Sequence, residues 1–162
     1  MLQVFNNDKI LAKKLANLII KKIKNKKNFV IGCPSGRSLK KTYNYIGKLS
    51  SSHNIDLSKV KIIMMDEYVI KKNNRFYLCN PKSHYSCVGF ANRVIKKLFN
   101  YKKKNNKKLK LSNIHYPCVN NPYAYDRLIK KIGGIDIFLL ASGTSDGHVA
   151  FNNANSRINS ST

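Results

Sequence analysis

The alternation of helical and strand-like segments is the feature of this sequence that most restricts its fold. Four segments carry apolar residues at three- and four-residue spacing, as amphipathic helices do: residues 8–24, 38–49, 83–99 and 122–132. Each is followed by a short apolar run of the kind that forms a buried strand: residues 28–32, 59–65, 113–117 and 135–141. The alternation predicts an α/β, Rossmann-like fold, with a mostly parallel sheet and helices on both faces. Asp8 and Ser83 are expected to cap the first and third helices.

Length and composition set the class of protein. A chain of 162 residues, 43% of them hydrophobic, is long enough for a buried core, and we expect one domain over residues 1–162. It contains no apolar run near the ~20 residues of a membrane span. The first residues lack the pattern of a secretory signal, so a cytoplasmic location is expected. The 4 Cys have irregular spacings, which disfavour zinc and a disulfide framework.

The formal net charge of +24 raises the question of nucleic-acid binding. Nearly all of this charge is Lys, spread through every segment together with abundant Asn. Because a biased surface composition accounts for that pattern, and no aromatic RNA-binding signature accompanies it, nucleic acid is not the expected partner.

Polar residues follow the first predicted strand, in "GCPSGRS". A glycine turn before a helix offers free backbone N–H groups, Ser35 and Ser38 add hydroxyls, and Arg37 adds a forked cation. With Gly36 at the turn, this loop suits a phosphate. A plain strand-to-helix turn with a serine cap is the alternative.

The adjacent carboxylates of Asp66 and Glu67 follow the second strand, in a chain with only 7 acidic residues. A carboxylate at the mouth of an apolar strand can have a raised pKa and act as a general base. The alternative is a surface pair that neutralises nearby Lys. After the last strand, Asp146, Gly147 and His148 place a carboxylate beside an imidazole. A structural histidine is the alternative there.

Four motifs, "IGCPSGRS", "MMDEYV", "NPKSHYS" and "SGTSDGHVAFN", occur in the order and spacing of the glucosamine-6-phosphate deaminase/isomerase family. The chain resembles this family, a relative of the 6-phosphogluconolactonases, over essentially its whole length. Tyr68 after the Asp-Glu pair resembles the deaminase branch, because the lactonases carry Arg there.

The resemblance implies conversion of glucosamine 6-phosphate to fructose 6-phosphate and ammonia, with no metal or organic cofactor. Asp66 would move a proton between C1 and C2 of the opened sugar, and His148 would assist ring opening with Asp146 in the same site. The loop Ser35–Ser38 would hold the phosphate or line the sugar, and Glu67 and Gly147 would contact substrate. Oligomers are usual in this family, which leaves a homo-oligomer open.

The sequence departs from the family in two ways. Asn153 occupies the position of a Glu that tunes the histidine, so ring opening is expected to be weaker, or the sugar different. Family members also continue beyond the position of Thr162, so we expect the C-terminal strands and some phosphate-binding residues to be missing. The alternatives are an isomerase for another sugar phosphate, an inactive remnant and a basic nucleic-acid-binding protein.

Overall fold

The computed structural model describes residues 2–141 and 148–152. Helices and strands alternate along them as predicted, apart from two additional strands between the second predicted strand and the third predicted helix. The helices of at least four residues are α1 (Asp8–Asn25), α2 (Lys40–Ser52), α3 (Cys87–Phe90), α4 (Lys96–Phe99) and α5 (Pro122–Lys131). A π-helical turn, Ala91–Ile95, joins α3 to α4 in one continuous helix. The strands are β1 (Val30–Cys33), β2 (Lys61–Met64), β3 (Val69–Lys72), β4 (Arg75–Leu78), β5 (Ile114–His115) and β6 (Ile137–Phe138).

Four of these strands form a parallel sheet in the order β5-β2-β1-β6. The register pairs Cys33 with Met64 at the carboxyl ends of β1 and β2, and Gly32 with Phe138 on β6. Because all four strands run in the same direction, the loops after β1, β2 and β6 leave from one edge of the sheet. The α/β class and the parallel sheet predicted from the sequence are confirmed.

The helices cover the two faces of the sheet unequally. Residues of α1, α2 and the Cys87–Phe99 helix pack with Ile31 and Met64 in the larger core. On the opposite face α5 covers Val30 and Ile63 with the buried ring of Tyr125. Alternate residues of β1 and β2 therefore enter different cores, as strand geometry requires. Within the part of the chain that the structure describes, no helix is long and apolar enough to cross a membrane.

Two helix caps differ from the sequence prediction. Asn7, and not Asp8, caps α1, because the Asn7 side chain accepts the backbone N–H groups of Lys9 and Ile10. Ser86, and not Ser83, caps α3 by accepting the N–H of Gly89 at 3.0 Å. In each case the periodic apolar pattern correctly predicts that a helix is present. It does not predict the residue at which the helix begins.

The strands differ from prediction in two places. The run 135–141 yields only a two-residue strand at the sheet edge, where Phe138 is 39% and Leu140 63% exposed. The antiparallel hairpin β3–β4 was not predicted. Asn73 and Asn74 form its turn with φ of 47° and 58°, a left-handed conformation that Asn tolerates better than most residues.

Candidate active site

A buried tyrosine on α2 holds the loop after β1 through a hydrogen bond. Tyr43 on α2 donates a hydrogen bond from its hydroxyl to the carbonyl of Pro34 at 2.7 Å. Gly36 then turns the chain with a φ of 90°, in the left-handed region that favours glycine. This turn leaves Ser38 and Arg37 exposed and Ser35 half-buried.

The start of α2 differs from the starts of α1, α3 and α5, the other helices that begin after a loop. The side chains of Asn7, Ser86 and Asn121 cap α1, α3 and α5, whereas Leu39 at the start of α2 provides no side-chain cap. The alternative of a simple serine-capped turn therefore does not describe this loop. A helix start without a side-chain cap keeps N–H groups available for an anion.

Asp66 follows β2 at the same edge of the sheet. Its side chain is half-buried, and the thiol of Cys87 donates a hydrogen bond to its Oδ1 at 3.4 Å. Burial raises the pKa of Asp66; the neighbouring Glu67 charge acts in the same direction, while the hydrogen bond from Cys87 acts against both. A carboxylate with a raised pKa can take a proton from carbon more readily than an ordinary aspartate.

Glu67 has a different environment from its neighbour. It is 8% exposed, and its carboxylate accepts hydrogen bonds from the backbone N–H of Cys87 at 2.9 Å and of Val88 at 2.7 Å. Ser86 and Tyr68 donate to it as well. Burial alone would raise the pKa of Glu67, but these donors outweigh burial and lower it. The acidic pair is thus not a surface pair that neutralises Lys.

One cavity of about 330 Å³ collects side chains from three of the loops at this edge. It is the site cavity, and its lining residues are Pro34, Ser35, Ser38, Met65, Asp66, Tyr68, Ala141, His148, Ala150 and Phe151. Four of the residues predicted from the sequence are among them: Ser35, Ser38, Asp66 and His148.

Other predicted site residues lie elsewhere. Arg37 and Gly36 are exposed beside the site cavity and are not among its lining residues, and Glu67 faces the start of α3. Asp146 and Gly147 lie outside the described residues, as does Asn153. Their predicted roles stay predictions.

Sequence reasoning missed Cys87, which connects two of the predicted residues. Its sulfur lies 3.1 Å from the hydroxyl of Ser35 and 3.4 Å from Oδ1 of Asp66. Burial raises the pKa of the Cys87 thiol to about 12, so the group stays protonated at neutral pH. The helical period of residues 83–99 placed this cysteine at the start of a helix, but the sequence offered no sign that this start faces β2.

A parallel sheet with hydroxyls, a carboxylate and an imidazole around one cavity at its carboxyl edge defines an α/β protein with a candidate small-molecule site. No protein-family model matches the chain. It is 35% identical over 160 residues to a glucosamine-6-phosphate deaminase of Mycoplasma mycoides subsp. mycoides, covering 98% of this chain and 59% of that protein. A glucosamine-6-phosphate deaminase of Phocaeicola vulgatus is 31% identical over 138 residues, 84% of this chain and 48% of that protein.

A solved structure of a monomeric glucosamine-6-phosphate deaminase superposes with a TM-score of 0.76 at 21% identity, over 96% of this chain and 60% of that one. That likeness shows the fold. The sequence matches show more: the chain belongs to the glucosamine-6-phosphate deaminase/isomerase family, as its four motifs predicted. It spans 59% and 48% of the length of the two curated relatives.

Proposed function

We propose that the chain carries the catalytic part of a sugar-phosphate isomerase and deaminase, which converts glucosamine 6-phosphate and water to fructose 6-phosphate and ammonia. One observation supports this most: Asp66, a half-buried carboxyl with a raised pKa, lines the same cavity as Ser35, Ser38 and His148. Family membership supports the substrate class of this proposal, and the geometry supports the chemical task proposed for each residue.

Asp66 is the proposed base for proton transfer. In the opened sugar it takes the proton from C2 and returns it to C1, which moves the carbonyl character to C2 as an imine. Water then adds at C2, and ammonia leaves. His148, across the site cavity, is proposed to pass a proton to or from the ring oxygen during ring opening, since imidazole transfers protons near neutral pH. Asp146 and Gly147 are proposed to complete this part of the site.

The start of α2 is the proposed phosphate site. Ser35 and Ser38 lie in the lining of the cavity, and the N–H groups at the helix start have no side-chain cap. Arg37, exposed on the same loop, is proposed to add a cation that can form a paired contact with phosphate oxygens. The burial and the hydrogen bonds of Glu67 favour a structural role for that residue over direct contact with substrate.

Ammonia release from glucosamine 6-phosphate tests the proposed reaction. The unaltered chain should release ammonia in step with fructose 6-phosphate, and Asp66→Asn should abolish the release because an amide cannot accept the C2 proton. Asp56→Asn is the matched control, since Asp56 is exposed and caps the turn at Ser58 before β2. Equal ammonia release by Asp66→Asn and the unaltered chain would exclude Asp66 as the base. Formation of an isomeric sugar phosphate without ammonia would indicate isomerisation alone.

A thermal melt separates substrate binding from turnover. Glucosamine 6-phosphate at about one hundred times its Kd should stabilise the fold by about 2.7 kcal/mol. Glucosamine without phosphate should stabilise it much less, and Arg37→Ala should reduce the difference between the two ligands. Equal shifts with both sugars would contradict a phosphate site at α2.

The proposal also covers partners and location. A sugar phosphate is the proposed partner, while the basic surface is proposed to be compositional and not a nucleic-acid interface. We infer a cytoplasmic location, where the free thiols Cys33, Cys79, Cys87 and Cys118 would stay reduced.

A further inference from the structure

We propose that the Cys87 thiol is a positioning residue for Asp66, fixing which carboxylate oxygen faces the substrate. This inference rests on the proposed function, because it concerns the orientation of the proposed base. It adds a residue that lies outside the four sequence motifs and that contacts the base directly.

The geometry around the sulfur supports this role. Cys87 is 1% exposed, and its Sγ lies 3.4 Å from Asp66 Oδ1 and 3.1 Å from Ser35 Oγ. A thiol carries one proton, so it can donate to only one of these oxygens at a time. When it donates to Asp66, the Ser35 hydroxyl donates to the sulfur. The contact joins the loops after β1 and β2 through the start of α3.

The position of the thiol is itself fixed by Glu67. The backbone N–H of Cys87 donates to Glu67 Oε1 at 2.9 Å, and the N–H of Val88 donates to Oε2 at 2.7 Å. The hydroxyl of Ser86 donates to Oε2 at 2.9 Å. Because Glu67 directly follows Asp66, these contacts hold the first turn of α3 against the chain segment that carries the base. The sulfur therefore has little freedom to move away from Asp66.

As a chemical consequence, the two carboxylate oxygens of Asp66 have different roles. Oδ1 accepts the thiol proton, which leaves Oδ2 to take the C2 proton and return it to C1. A neutral thiol supplies this hydrogen bond without adding a charge beside the base. A lysine or arginine there would favour the carboxylate so strongly that the carboxylate would become a weaker base.

The titratable groups around Asp66 come from three parts of the site. Glu67 and Tyr68 lie on its own segment, Cys87 faces it from α3, and His148 lies across the site cavity. Asp66 is therefore not the only group in the site that can titrate, and its own carboxyl signal must be followed. Carboxyl-detected NMR of the full chain, assigned with Asp66→Asn, does this without requiring activity.

The test compares Cys87→Ala, Cys87→Ser and Cys79→Ala. Cys79 is the matched control, since it is also 1% exposed and its thiol donates to a carboxylate, but to Glu67 Oε1 at 3.4 Å. We expect Cys87→Ala to raise the pKa of Asp66, because the ionised carboxyl loses a hydrogen bond. We also expect it to lower kcat about tenfold with little change in KM, because the carboxylate loses its fixed orientation toward C2. Cys87→Ser should restore much of both values, and Cys79→Ala should change neither.

An Asp66 titration that is the same in Cys87→Ala, Cys79→Ala and the unaltered chain would overturn the proposal. An unaltered chain without deaminase activity would overturn the proposed function alone, because the NMR titration still decides whether Cys87 acts on Asp66.

A second measurement covers the case in which Cys87→Ala does not fold. The S–H stretching band of Cys87 in the unaltered chain, assigned by its loss in Cys87→Ser, should shift to higher frequency as Asp66 is protonated. The same band should not respond to pH in that range in Asp66→Asn. A band that is independent of pH in the unaltered chain would contradict the thiol–carboxylate contact.

Discussion

The carboxylate of Glu67 lies 2.9 Å from the backbone N–H of Cys87, so an acidic residue after β2 binds the first turn of a helix twenty positions further along the chain. Between the two residues lies the β3–β4 hairpin, whose strands are exposed along their whole length. The contact therefore closes a loop and also satisfies N–H groups at a helix start, where negative charge is favourable.

Replacing Glu67 by glutamine should lower the free energy of unfolding by about 1–3 kcal/mol, because a neutral amide accepts fewer and weaker hydrogen bonds in the same buried position. Urea denaturation at neutral pH measures the loss. The exposed Asp56→Asn variant removes the same charge from the chain and should change the free energy by less than about 0.5 kcal/mol. Equal losses in the two variants would attribute the effect to net charge instead of the buried contacts.

The same carboxylate predicts how stability changes with pH. Burial would raise the pKa of Glu67, but the hydrogen bonds from Val88, Cys87 and Tyr68 lower it overall, so folding favours the ionised form. The resulting stabilisation is complete above the pKa of Glu67 in the unfolded chain and is lost as the pH falls through the lower folded value. The stability difference between the unaltered chain and Glu67→Gln should therefore shrink in acid. A constant difference from about pH 7 to about pH 3 would contradict the lowered pKa.

Asp66 predicts a different pH dependence, this time of activity. A base must be ionised to accept a proton, and burial raises the pKa of Asp66. Deamination should therefore decline as the pH falls through a value above the ordinary range of an aspartate, about 3.9. The dependence of kcat/KM on pH measures this limb. A rate that remains constant down to about pH 4 would show that the group responsible is not a buried carboxyl.

The buried hydroxyl of Tyr125 on α5 is expected to stabilise the carboxyl edge of the sheet. Its hydroxyl lies 2.8 Å from the carbonyl oxygen of Met64 and 3.1 Å from that of His115, at the ends of β2 and β5. Tyr125→Phe should lower the free energy of unfolding by about 1 kcal/mol, since both carbonyls lose this donor. Tyr123→Phe, on the same helix and 64% exposed, should have almost no effect in the same denaturant titration. Comparable losses in both variants would argue against a role of the buried hydroxyl.

Periodicity and strand order were sufficient to predict the larger features of this protein. The helical stripe of residues 8–24 became α1, and Asn121 with Pro122 began α5 where the sequence placed them. The parallel sheet then required the loops after β1, β2 and β6 to share an edge. The sequence alone therefore predicts that Ser35, Asp66 and His148 lie near one another, and all three line the site cavity.

The details that the sequence did not reveal depend on contacts between distant segments. The opposite environments of Asp66 and Glu67 arise because α3 begins beside one of them, and no local pattern encodes that placement. Cys87 was missed for the same reason. The shortness of β6 also depends on its neighbours, because β1 pairs with it at only two residues.

The unequal cores on the two faces of the sheet have a consequence for hydrogen exchange. Amides of α1 and α2 lie over the larger core and should exchange only when the whole fold opens. Those of α5, which is attached through a core of three buried residues, can exchange through a smaller local opening. Such an opening would separate the Tyr125 hydroxyl from the carbonyl of Met64, which lies two residues before the proposed base. The motion of α5, a helix outside the site cavity, would therefore change the orientation of Asp66.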